Sequence, residues 1–213
     1  MDRLLDTERE NERIVLGLLS SVENDGERSQ RRIAAELGIA LGLVNAYLKR
    51  CIKKGFVKVS QAPARRYAYY LTPKGFAEKS RLTVEYLSYS FGFFRQAKTD
   101  CSELFRAAKA RGVGTILLVG QSDLAEIAAL CAIEQAINIV GLVQADAQQS
   151  QFVGLPAFAN FDAVSKPFDS VLITDASNAR QTCEAAIARF GIDRVLVPEL
   201  LRVRIRQEGG AAE

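Results

Sequence analysis

The chain has 213 residues, 48% of them hydrophobic and 25% charged, with a formal net charge of +3, the profile of a globular protein with room for two modest domains. No apolar run approaches the ~20 residues a bilayer span needs, and the charged start at Met1-Asp2-Arg3 is unlike a signal peptide, so a cytoplasmic protein with no membrane partner is expected. Histidine is absent, which removes Ser/His and Cys/His nucleophiles, HExxH zinc sites and the commonest general base, and leads to the expectation of a non-enzyme.

Taken in chain order, Glu8 to Val22 carries Ile14, Leu18, Leu19 and Val22 at helical spacing and predicts a first helix, ended by Asn24-Asp25-Gly26. Ser29 is an N-cap for a short helix from Gln30 to Leu37, which Gly38 stops. A third helix from Leu41 to Lys54 follows at once and ends at Gly55, completing a helix-turn-helix pattern. Phe56 to Ser60 and Tyr67 to Leu71 alternate around a turn at residues 62–65 and predict a hairpin wing. Thr72-Pro73 starts a helix crowded with Tyr86, Leu87, Tyr89, Phe91, Phe93 and Phe94, more than one face against a small domain requires, so it is expected to form a homodimer. Asp100 and Glu103 read as the capping box of a separate helix from Cys101 to Arg111, broken at Gly112-Val113-Gly114.

Beyond that break the periodicity changes. Ile116 to Val119 is a continuous apolar run, expected of a parallel strand covered on both faces. Helices at Leu124 to Ile137 and Ala179 to Phe190 alternate with strands at Ile139 to Val143, Ser170 to Thr174 and Arg194 to Pro198, implying right-handed βαβ units. Leu201, Val203 and Ile205 alternate with arginines as a last, half-exposed strand. The expected fold class is α/β, divided into a winged helix-turn-helix at 1–75, a helical dimerisation linker at 76–113 and a Rossmann-like parallel domain at 114–213. Cys51, Cys101, Cys131 and Cys183 form no CxxC pair and are expected to be reduced thiols, with no metal.

Charge is unevenly distributed. Arg28 to Arg81 holds thirteen basic residues and two acidic ones, a balance of +11, whereas Gly112 onward balances at −5. A block this basic is the footprint of a polyanion, here double-stranded DNA. With Leu41, Val44, Leu48 and Ile52 facing the core, the third helix turns Leu43, Ala46, Tyr47, Arg50, Lys53 and Lys54 outward, with Gly42 and Lys49 on the flank. Leu43 and Ala46 suit thymine methyl groups, and the cations suit phosphates. Ser29, Arg31 and Arg32 at the second helix start, and Arg65 and Arg66 at the wing tip, complete the candidate interface. Asn45 lies nearer the core and is assigned a hydrogen bond to the preceding turn.

The run "ELGIALGLVNAYLKRCIKKGFVKV" followed by "YYLTPKG" resembles MarR-like winged-helix regulators, particularly those called EPS-associated, across roughly the first half of the chain. The resemblance implies a regulator of polysaccharide genes. Ala40 and Leu43 depart from it, standing where a Ser or Thr cap and a cation are usual.

In the second domain, Gly120-x-Ser122-x-x-Ala125 is a degenerate dinucleotide fingerprint after a strand. Gly120, Gln121, Ser122 and Asp123 are the candidates to cradle a phosphate, Asp146 to hold a ribose diol, and Thr174, Asp175 and Ala176 to close the pocket. Asp123 and Asp175 equally suit helix capping, and Thr174 a turn. Gly120→Val is expected to remove ligand binding and spare the fold. The run "ILLVGQSDLAEIAALCAIEQAINIVGLVQAD" resembles the nucleotide-sugar-binding domain of bacterial sugar N-acetyltransferases and, less closely, NADH-binding Rex-type repressors and CoA-binding domains. It implies a bound UDP-sugar, with NAD(H) or CoA as alternatives and no required cofactor. The overall expectation is a ligand-responsive regulator; an NAD(H)-responsive redox regulator, a small nucleotide-sugar or NAD-dependent enzyme and a bare DNA-binding dimer are the alternatives.

Overall fold

Local capping sets the N-terminal elements in this computed structural model, which describes residues 2–26, 29–62, 66–145 and 150–201. α1 (Asp2–Asn24) is followed by α2 (Gln30–Leu37), where the Ser29 side chain accepts a hydrogen bond from the Arg32 N–H and Gly38 closes the helix at φ 64°. That left-handed turn brings α3 (Leu41–Lys53) back within three residues, the tight connection the sequence implies. The apolar faces of the three helices meet in one core through Leu18, Leu19, Ile33, Val44 and Leu48, closed by Phe56 and Val57. β1 (Val57–Ala62) and β2 (Arg66–Leu71) pair antiparallel from Val57 opposite Leu71 to Ala62 opposite Arg66, the predicted wing.

The Thr72 hydroxyl accepts from the Gly75 N–H at 3.0 Å and starts α4 (Pro73–Ala110). Where two helices are expected, α4 is one helix of 38 residues. Nothing between residues 93 and 111 is a proline, and Gly92 costs a helix interior only about 1 kcal/mol. Asp100, read as an N-cap, is instead buried in mid-helix, where its carboxylate accepts from the Gln96 side chain and the Leu200 N–H, each at 2.7 Å. Two compact units divide within α4, one running to Phe91 and the other from Gly92.

In the second unit, β3 (Thr115–Val119), α5 (Asp123–Gln135), β4 (Asn138–Val143), β7 (Ser170–Ile173), α6 (Ala179–Phe190) and β8 (Val195–Leu196) follow the expected alternation. With β5 (Gln151–Phe152) and β6 (Leu155–Phe158), the six-stranded sheet has the order β5-β6-β4-β3-β7-β8. Every pairing is parallel except that of β5 with β6, a hairpin the sequence reading lacks. The period of two splits β3 between two cores. Ile116 and Leu118 pack with Phe105 of α4 and with Leu124 and Ala128 of α5, while Leu117 and Val119 pack with Cys183 and Ala186 of α6. A sheet covered on both faces explains the unbroken apolar run. The last strand expected from Leu201 is not seen at its start: Leu201 ends a 3-10 turn from Glu199, and residues 202–206 lie outside the described residues.

All four cysteines are buried and free; desolvation pushes the Cys51 thiol up to about 11 and the Cys101 thiol up to about 12. Among the described residues, no cluster of three potential metal ligands occurs and no helix is long and apolar enough to cross a membrane.

Candidate functional site

α3 and its C-cap present an exposed face of Gly42, Ala46, Lys49, Arg50, Lys53 and Lys54. Exposed Arg31 and Arg32 stand in the first turn of α2, beside Ser29, whose side chain is engaged as the cap. The Arg50 guanidinium lies 5.1 Å from the centre of the Tyr47 ring, and the ammonium groups of Lys54 and Lys74 lie 5.7 and 5.5 Å from that of Phe56. Aromatic faces thus engage the charged ends of these cations, whose side chains stay exposed at the surface. Lys74, at the head of α4, extends the basic surface beyond the residues picked from sequence; its membership of the basic block was the available signal. Arg66 opens β2, and Arg65 lies outside the described residues.

Two assignments on α3 are corrected. Tyr47, expected to point outward, is buried at 6% exposure, and its hydroxyl donates to Asn11 Oδ1 on α1. Leu41, expected in the core, is 42% exposed, because it opens the helix beyond the reach of the residues packed against Val44 and Leu48. Tyr47→Phe should therefore cost about 1 kcal/mol in a urea melt, the usual value of one buried hydrogen bond, and leave DNA affinity unchanged in a gel shift. A DNA defect without a stability loss would return Tyr47 to the interface.

The carboxyl ends of β3 and β7 adjoin at the point where the strand order reverses, the usual ligand crevice of such sheets. Gly120, Ser122, Thr174 and Asp175 do come together there, but they satisfy one another. Ser122 caps α5, accepting from the Ala125 N–H at 3.4 Å and donating to the Thr174 carbonyl at 2.6 Å. Thr174 is fully buried and donates to the Gly120 carbonyl at 2.6 Å. Asp175 accepts from the N–H groups of Ser177 and Asn178 and from the Thr182 hydroxyl. Gln121 N–H, the amide a phosphate would take, donates to the Gln144 side chain at 2.9 Å. Asp123 and Glu126 place two carboxylates in the first turn of α5, where they disfavour an anion. Ala176 is exposed, and Asp146 lies outside the described residues.

Gly120 has a reason other than phosphate approach. Its φ is +101°, and a Cβ there would stand 2.4 to 2.5 Å from the Cβ, Cα and N of Asp175, so any side chain collides with the turn that follows β7. That corrects the expectation that Gly120→Val spares the fold. A groove of about 530 Å³ that sequence reading did not anticipate lies in the N-terminal unit, lined by Arg9, Arg13 and Leu16 of α1 and by Leu82, Tyr86 and Tyr89 of α4.

No curated protein matches the chain. It is similar to the solved structure of human N-acetylserotonin methyltransferase in complex with SAM, at 13% identity, covering 80% of this chain and 69% of that one, with a TM-score of 0.26. The expectation of a non-enzyme does not follow from the absence of histidine. Cofactor-dependent chemistry is carried by the cofactor, so a sequence without histidine is not thereby excluded from catalysis. With so low a TM-score, no activity or ligand passes from that protein to this one. Residues 12–58, which hold much of α1, all of α2 and α3 and the start of β1, match the family described as winged helix-turn-helix DNA-binding, and this part of the chain is such a domain.

Proposed function

We propose that the chain is a DNA-binding transcription regulator that acts as a homodimer and responds to a small ligand in its α/β domain. The exposed cationic face of α3 within the winged helix-turn-helix domain carries the reading. Four cations on one helix, flanked by Arg31, Arg32 and Lys74, suit a duplex backbone and no neutral partner. Gel shifts on random and selected duplexes over a range of salt test it, and an affinity independent of salt would overturn it.

The dimer is supported by α4, where Val84, Leu87 and Phe91 follow at spacings of three and four and are 63%, 45% and 57% exposed. A seam of this kind left in water is what a second helix buries. Phe91→Asp should give a folded monomer by sedimentation, since the residue packs into neither core; a persisting dimer would move the interface elsewhere.

For the ligand, the resemblance of residues 116–146 favours a UDP-sugar in a polysaccharide pathway, then NAD(H) or CoA. In this reading the anionic group replaces the Gln144 side chain on Gln121 N–H, and ligand and operator affinities are linked by roughly 1–3 kcal/mol. A thermal-shift panel of UDP, UDP-sugars, NAD(H) and CoA tests it. No shift with any of them removes the nucleotide class.

A further inference from the structure

We propose that α3 recognises the 5-methyl groups of pyrimidines in the major groove, so that binding follows the methyl group rather than the identity of the base. This rests on the DNA-binding reading above.

The first two turns of a recognition helix are the part that reaches base edges, and recognition by hydrogen bonding requires a polar side chain there, such as Arg, Lys, Asn, Gln, Asp, Glu, Ser or Thr. From Leu41 to Ala46 only Asn45 can form such a bond, and it is half-buried. The remaining outward groups are apolar: Leu41 is 42% exposed, Leu43 is 40% exposed, and Ala46 is exposed one turn later. Two leucines held in water at the head of a cationic helix are unusual, because Lys49, Arg50, Lys53 and Lys54 bring that head against DNA and against no apolar protein surface. In the major groove the base-edge feature an apolar side chain takes is the C5-methyl of thymine. Uracil lacks that methyl, and cytosine carries it only when methylated at C5. A helix that reads methyl groups without base-edge hydrogen bonds thus accepts 5-methylcytosine where it accepts thymine.

The test uses the full chain and a duplex enriched from a random pool. Thymines in each half-site are replaced singly by uracil, by cytosine or by 5-methylcytosine, with the partner base adjusted. Each contacted thymine replaced by uracil should weaken binding about fourfold, the effect of one methyl group removed from water. 5-Methylcytosine should recover about fourfold over cytosine at the same position. In Leu43→Ala the thymine-to-uracil ratio should fall toward one at a contacted position while the salt slope stays unchanged, an outcome a purely structural role for Leu43 does not give. Equal binding of thymine and uracil duplexes at every position overturns the proposal. Failure to enrich or bind any duplex overturns the DNA-binding reading itself, and this inference with it.

Discussion

Gly120→Val should unfold the C-terminal unit, so that any loss of ligand binding follows from loss of the fold. A β-branched residue at φ +101° is strained by about 1–3 kcal/mol, and the Asp175 backbone, 2.5 Å from the Cβ it would introduce, adds an overpacking cost of similar size. Asp175 cannot retreat cheaply, since its carboxylate holds the N–H groups of Ser177 and Asn178 and the Thr182 hydroxyl before α6. The sum, about 2–6 kcal/mol, is a large share of the stability of an ordinary domain. Chemical denaturation should show the C-terminal transition at much lower urea or missing, with the N-terminal helices retained. Wild-type stability in Gly120→Val would mean that the chain after β7 moves away from Gly120 at little cost.

Replacing Lys49, Arg50 and Lys53 together with Ala should produce the largest loss of DNA binding. Each is exposed on α3, so the fold should be unaffected. If each meets one phosphate, the slope of log affinity against log salt should flatten by about 2.7 units. At about 1 kcal/mol per contact, binding should weaken about a hundredfold, equally for operator and unrelated duplex. Titrations at several salt concentrations with both duplexes check this. An unchanged slope would mean that α3 does not face the backbone.

Much of the architecture was legible in the chain because local signals agreed with tertiary packing. Ser29, Gly38 and Thr72 bound their helices through side-chain or backbone geometry that depends on neighbours within a few residues. The run from Ile116 to Val119 became the central strand for a reason visible in its composition. The basic block likewise pointed to α3 without a structure. The errors came where two roles share one residue type. Asp100 has the chemistry of an N-cap and serves as a buried acceptor. Tyr47 and Leu41 exchanged places because helical phase alone does not tell what packs against a helix at its first turn and what reaches Asn11 from α1.

The sequence by itself determined the order of elements, the winged helix-turn-helix and the polarity of charge, since periodicity, capping and composition act over a few residues. How the turn after β3 is held was decided only by the tertiary structure. Gly120, Ser122, Thr174 and Asp175 lie more than fifty residues apart in two groups, and only the parallel pairing of β3 with β7 brings them together. Glycine, serine and acid in that order spell a phosphate cradle in one dimension. In three dimensions their hydrogen bonds close on one another, because the strand ends meet tightly enough to leave no room for a side chain on Gly120.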